Sequence, residues 1–260
     1  MKIKIVSILY FSPTGNVQNN LRKIAHGMGD KVEIKEYDLT PFDARWEKYE
    51  FTSEDFVLIG MPVYMGRLPG NYVEFFRCLK ADRTPAAFVV SYGNIDYGDA
   101  LLELKNRCEG KGFIGIAAVA FADENPMVNQ IAGSLSDTEK DNNLILFGEK
   151  IMEKAKELTS IDHIMPIEVK GNYPYKKVNE ITAAPETNEN CIQCGQCAKE
   201  CPMYAINPSD TKEIDRYRCI TCFRCIKNCH QNAKFMQNEA INQYISTSDF
   251  STNRKEPVLI

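Results

Sequence analysis

Eight of the ten cysteines fall between residues 191 and 229 in two runs of one spacing. Cys191, Cys194, Cys197 and Cys201 superimpose on Cys219, Cys222, Cys225 and Cys229 at a shift of 28 residues. Thiolates are soft ligands, and three of them two residues apart wrap one face of a cubic iron–sulfur cluster from a single tight loop. The remaining corner must be reached by a sulfur from elsewhere in the chain. Zinc and disulfides compete for the same residue type. Zinc prefers ligand pairs separated by a longer spacer, and cytosolic thiols stay reduced, so the spacing selects two [4Fe-4S] clusters.

The C-x2-C-x2-C-x3-C pattern, with Pro202 after the first run, resembles the signature of bacterial two-cluster ferredoxins. The resemblance implies crossed ligation, in which the fourth cysteine of each run serves the other run's cluster. One cluster then takes Cys191, Cys194, Cys197 and Cys229, and the other Cys219, Cys222, Cys225 and Cys201. His230 stands where the second run would carry its proline. It leaves the ligands intact and is expected to be a solvated surface residue, with a hydrogen bond that tunes one cluster as its alternative role.

A second kind of chemistry is written in the loop Phe11-Ser12-Pro13-Thr14-Gly15-Asn16. Hydroxyls of Ser12 and Thr14, with backbone amides from Thr14 to Val17 at a helix N-terminus, can enclose a phosphate using neutral donors and a favourable dipole. A plain helix cap would use the same small polar residues. The loop closely resembles the flavodoxin phosphate loop S-x-T-G-N-T, departing from it at Pro13 and Val17. Two more loops, at residues 60–67 and 91–99, look like the walls of the isoalloxazine site in flavodoxin-like proteins. The resemblance implies FMN, with Ser12, Thr14, Gly15, Asn16 and Val17 at its phosphate. Tyr64 and Tyr97 would supply stacking rings, and the backbone of Met65, Gly66, Gly93 and Asn94 would meet the polar edge of the ring. Pro62, Val63, Ser91, Tyr92 and Asp99 stand beside them.

These loops need elements to position them. Apolar runs predict strands over Ile3–Tyr10, Val32–Tyr37, Phe56–Met61, Ala86–Ser91 and Phe113–Phe121. Amphipathic stretches predict helices over Asn16–Met28, Asn71–Leu79, Ala100–Cys108 and Asp137–Leu158. Strands alternating with helices imply an α/β fold, a flavodoxin-like doubly wound five-stranded parallel sheet with its ligand beyond the carboxyl ends of the strands. A small α+β domain of the bacterial ferredoxin type should follow. The expected division is 1–165 for the FMN domain, 166–185 for a linker, 186–237 for the cluster domain and 238–260 for a polar tail that packs or frays.

Composition bounds the rest. A net charge of −4 and a pI near 5.6 argue against a nucleic-acid footprint. No run of eighteen apolar residues and no small-residue cleavage site near the start is found, so a cytoplasmic protein without a membrane span is expected. The oxygen lability of exposed clusters points to an anaerobic setting. Cys78 and Cys108 fall among apolar neighbours and read as core thiols, Trp46 as a surface packing anchor, and His26 and His163 carry no role. The leading expectation is an electron-transfer protein relaying electrons between FMN and two clusters, with a ferredoxin, flavoprotein or reductase as redox partner. An FMN-dependent reductase of a small acceptor and a redox sensor are the alternatives.

Overall fold

In the computed structural model, which describes residues 3–70, 73–93, 96–123, 138–158, 160–178, 182–247 and 258–259, the apolar runs pair as strands and the amphipathic stretches between them coil as helices. In chain order these are β1 (Ile5–Tyr10), α1 (Asn16–Gly27), β2 (Glu33–Asp38), β3 (Tyr49–Phe51), β4 (Phe56–Pro62), α2 (Val73–Arg77), β5 (Leu79–Ala81) and β6 (Thr84–Tyr92). They continue with α3 (Ala100–Glu109), β7 (Phe113–Ala122), α4 (Thr138–Glu157), β8 (Glu186–Thr187), α5 (Gln196–Lys199), α6 (Arg224–Lys227), β9 (Lys234–Phe235), α7 (Glu239–Thr247) and β10 (Val258–Leu259).

Five strands lie parallel in the order β2-β1-β4-β6-β7. Counted along the chain this is the 2-1-3-4-5 order of a flavodoxin-like doubly wound sheet, whose switch point falls between β1 and β4. The central strands β4 and β6 are buried almost end to end, as parallel strands covered on both faces must be. One apolar layer gathers β1, α1 and α4 around Ile8, Leu21, Ile24, Phe121 and Phe147. The other gathers Ile59, Phe75, Phe88, Leu101 and Leu104 beneath α2 and α3. Cys78 and Cys108 are buried in this second layer, while Trp46 is 67% exposed.

The tail is more ordered than its polarity suggests. It forms α7, and β10 returns to add an antiparallel edge strand, with Val258 opposite Ala120 and Leu259 opposite Val119. The parallel sheet of five thereby gains a sixth strand. Leu79 begins the short strand β5, paired with β3, instead of ending the preceding helix. Asn71 and Tyr72, where that helix is expected to start, lie outside the described residues. Among the described residues no helix is long and apolar enough to cross a membrane.

Candidate functional site

The cysteine segment repeats itself in three dimensions. The 28-residue shift that aligns its thiols also aligns left-handed backbone at Gln193 and Thr221 (φ 55° and 54°), at Gly195 and Phe223 (76° and 64°), and at Tyr204 and Asn232 (49° each). It aligns the one-turn helices α5 and α6 as well. Left-handed residues other than glycine are uncommon and need a cause. Here the tight turns aim amides at sulfur. The N–H of Ala205 donates to Cys201 Sγ at 3.3 Å, that of Ala233 to Cys229 Sγ at 3.2 Å, and that of Thr221 to Cys219 Sγ at 3.4 Å. At Cys219 burial raises the thiol and the Thr221 amide works against that rise.

Cys201, Cys219, Cys222 and Cys225 line one hollow, walled by Met203, Ile206, Ile220 and Phe223. Burial pushes the Cys222 thiol up to about 12 and raises those of Cys219 and Cys225. Thiols held this way ionise when a cation takes them as ligands. Four soft sulfurs facing one hollow are the donor set that a cube of several irons takes. Of the eight sulfurs, that of Cys194 belongs to an exposed residue and the other seven to half-buried ones. His230 is exposed, as its sequence context predicts.

At the crest of the sheet, the loop after β1 enters α1 through Gly15, whose φ of 86° suits a residue without a Cβ. Ser12 Oγ accepts the Gln18 amide at 3.1 Å, and the Ser12 amide donates to Thr40 Oγ1 at 2.8 Å. The Ser12 hydroxyl thus closes the first turn and still carries a hydrogen to donate. Asn16 and Val17 open α1, with the Val17 side chain buried beneath Gly60. Tyr64 and Arg67 exchange backbone hydrogen bonds at 2.8 and 3.1 Å across Met65 and Gly66, both left-handed, a two-residue turn of the primed type. The amide of Val63, next to Pro62, donates to the Ser91 carbonyl at 2.8 Å, and that of Asp99 to the Gly66 carbonyl at 2.8 Å. These bonds lock the second and third loops together.

Several expected wall residues serve other purposes. Both carboxylate oxygens of Asp99 are occupied by the segment that follows the sheet: Oδ1 accepts the Asn172 amide at 2.8 Å and Oδ2 the Lys176 amide at 2.7 Å. Its side chain therefore faces residues 172–176 and not the open crest. Ser91 Oγ donates to Asp123 Oδ2 at 2.6 Å, a carboxylate that also takes Asn20 and Lys140. The Tyr97 ring is enclosed, packed against Tyr92 at 5.6 Å with the Lys170 ammonium over it at 5.2 Å. It offers no open face for stacking, but its hydroxyl is buried without a hydrogen-bond partner in this structure. Gly93 is half-buried at the same edge, and Asn94 lies outside the described residues.

Tyr64 is half-buried, and burial raises its hydroxyl well above the usual phenol range, with the charges of Cys222 and Cys219 pushing the same way. Hydrogen bonds tie the cysteine segment to the crest. Four cross-links fasten it there. Arg224 donates to the Pro13 carbonyl at 2.9 Å and Lys227 to the Thr14 carbonyl at 2.6 Å. Arg45, buried between the rings of Phe11 and Phe42, donates to the Pro202 carbonyl, and Tyr204 donates to Asp43 at 2.5 Å. None of these cations carries a sequence signal, because their partners are carbonyls of a distant loop.

Residues 176–239 match the family described as a 4Fe-4S dicluster domain. No curated protein matches the chain. Among solved structures, the chain is similar to a flavodoxin from the domain Archaea, at 13% identity and a TM-score of 0.41 over 59% of this chain and 99% of that one. It is also similar to a flavodoxin of Streptococcus pneumonia TIGR4 (15%, 0.40, 58% and 99%). A Fusobacterium nucleatum flavodoxin bound to flavin mononucleotide matches at 12%, with a TM-score of 0.38 over 60% and 98%. Strand order in one part and the family match in the other make this chain a flavodoxin-like α/β domain joined to a ferredoxin-like 4Fe-4S domain.

Proposed function

We propose that this chain is an electron carrier that holds FMN in residues 1–165 and two [4Fe-4S] clusters in residues 186–237, with residues 166–185 as the linker. The outer cluster takes Cys191, Cys194, Cys197 and Cys229, and the inner one Cys201, Cys219, Cys222 and Cys225. FMN exchanges one or two electrons and each cluster one, so their union serves partners of either kind.

The chain's own contribution is placement. The hydroxyls of Ser12 and Thr14 and the first amides of α1 are the donors suited to the FMN phosphate, and the orphaned Tyr97 hydroxyl is a donor suited to the polar edge of the ring system. Stacking falls to Tyr64, which is half-buried, and not to Tyr97, which is enclosed. The observation that carries the reading is the pair of hydrogen bonds from α6, which holds Cys225, to the loop after β1: Arg224 to the Pro13 carbonyl at 2.9 Å and Lys227 to the Thr14 carbonyl at 2.6 Å. The turn that carries a proposed cluster ligand thereby borders the proposed phosphate site, and linking two redox groups in one chain replaces an encounter with a fixed short path.

Anaerobic quantitation of iron, sulfide and FMN on the full chain tests this. About eight irons and one FMN per chain are expected. Zinc at the cysteines, cystine bridges, or protein that takes up clusters but no FMN would each overturn it.

A further inference from the structure

Two positions are buried in both halves of the cysteine segment; one keeps its residue, as Ala205 and Ala233, and the other does not. The 28-residue shift pairs Ile206 with Lys234. Ile206 is an apolar wall of the inner hollow. Lys234 is 3% exposed and sits opposite Thr187 in the β8–β9 ladder. Its ammonium donates to Thr187 Oγ1 at 2.6 Å and to the Thr211 carbonyl. Among the described residues it makes no ion pair, although its field reaches the half-buried Asp210. An ammonium taken out of water loses more solvation than two neutral acceptors restore. Some anion must offset it.

The groups around it say which. Thr211, itself buried, bridges from Lys234 to the outer thiols: its hydroxyl lies 3.6 Å from Cys191 Sγ and donates to Gln193 Oε1 at 2.8 Å. Ala233, the residue before Lys234, donates its amide to Cys229 Sγ at 3.2 Å, so two of the four outer sulfurs lie beside the groups that hold this lysine. The inner ring has cations of its own: Arg224 lies in the chain between Cys222 and Cys225, and Arg45 donates to the carbonyl of Pro202, next to Cys201.

We infer that Lys234 is the buried counter-charge of the outer [4Fe-4S] cluster and holds its reduction potential above the value it would have with the isoleucine of the other half. The inference rests on the cluster assignment proposed above. Reduction adds one electron from an external donor to a cluster–thiolate unit that is already anionic, with no bond made and no proton moved. A fixed cation in a low-dielectric surround stabilises the more negative state more than the less negative one, so reduction becomes easier.

A redox titration of the full-length, reconstituted Lys234→Met protein, followed by electron paramagnetic resonance, tests it. One reductive step is expected to shift to lower potential while the other holds its place. Lys234→Arg, which keeps the charge, should leave both steps in place. Thr187→Val, which removes a hydrogen bond and keeps the charge, should do the same. Lys234→Met with full iron and sulfide content and both steps unmoved overturns the inference, and so does an equal shift in Thr187→Val. If Lys234→Met does not load, Lys234→Gln, a neutral donor to Thr211, is read in the same way. Iron and sulfide assays on the wild-type protein come first, so a failed cluster assignment shows there, before any titration.

Discussion

Asp99 lies in a loop whose resemblance assigns it to the flavin wall, yet its carboxylate belongs to the chain 73 and 77 residues downstream. Burial pulls its carboxyl upward, and the amides of Lys176 and Asn172, aided by the Arg67 charge, more than offset this and leave it below the usual carboxylate range. Arg67 in turn makes a two-point ion pair with Glu103, at 2.7 and 2.8 Å, and donates to the Lys176 carbonyl at 2.6 Å. Asp99→Asn should therefore cost about 1–3 kcal/mol of stability, the range for breaking buried hydrogen bonds to a charged group. The sign of the pH effect follows from the lowered folded-state value. The stabilisation is fully present above the ordinary Asp value of about 3.9 and fades as pH falls through the lower folded one. Melting temperatures across that acid window should drop more steeply for the wild type than for Asp99→Asn, and parallel curves would refute this role of Asp99.

At the scale of elements, the phosphate loop is only as well placed as α1, the helix it opens. α1 crosses α4 at a point where neither can carry a side chain. A Cβ on Gly148 would sit 2.0 Å from the Ile24 carbonyl oxygen, and one on Gly27 would sit 2.1 Å from that of Ile145. Backbone cannot yield as a side chain tip can, so Gly148→Ala must push the helices apart. A loss of about 1–3 kcal/mol in denaturant unfolding is expected, as for other overpacked sites, together with weaker FMN binding by fluorescence titration. Unchanged stability would mean that the crossing adjusts freely. The sequence rules for this layer work well where a segment is long. The four helices and five main strands of the sheet layer match their apolar periodicities, with ends displaced by a few residues. β3 and β5 escaped because three-residue strands have no period to read and owe their existence to each other.

For the whole molecule, the question is how two domains hold one orientation. The answer is cationic side chains on backbone carbonyls, with Arg224 and Lys227 reaching back 211 and 213 residues to Pro13 and Thr14. α6, which carries both, also carries Cys225 and lies between Cys222 and Cys229, so cluster ligands and phosphate-loop contacts share one turn of helix. Each such bond contributes on the order of 0.5–1.5 kcal/mol. Replacing both residues by alanine should loosen the docking without emptying either site. Stopped-flow reduction should then show slower electron exchange between clusters and flavin at unchanged iron and FMN content. An unaltered rate would show that docking does not depend on this clasp.

The chain's own letters were enough to determine the cysteine spacing with its 28-residue repeat, the succession of strands and helices, and the turn chemistry of the three crest loops. Each of these is a local property: a cube face is wrapped within seven residues, and amphipathic periods are complete within a few turns. Only the tertiary structure decided that Asp99 straps residues 172–176, that the Tyr97 ring is enclosed, that α6 is tied to the loop after β1 and that the Lys234 ammonium is buried against two neutral oxygens. Those outcomes depend on which groups from distant stretches meet out of water, where the cost of an unpaired charge or donor is set by the neighbours and not by the residue.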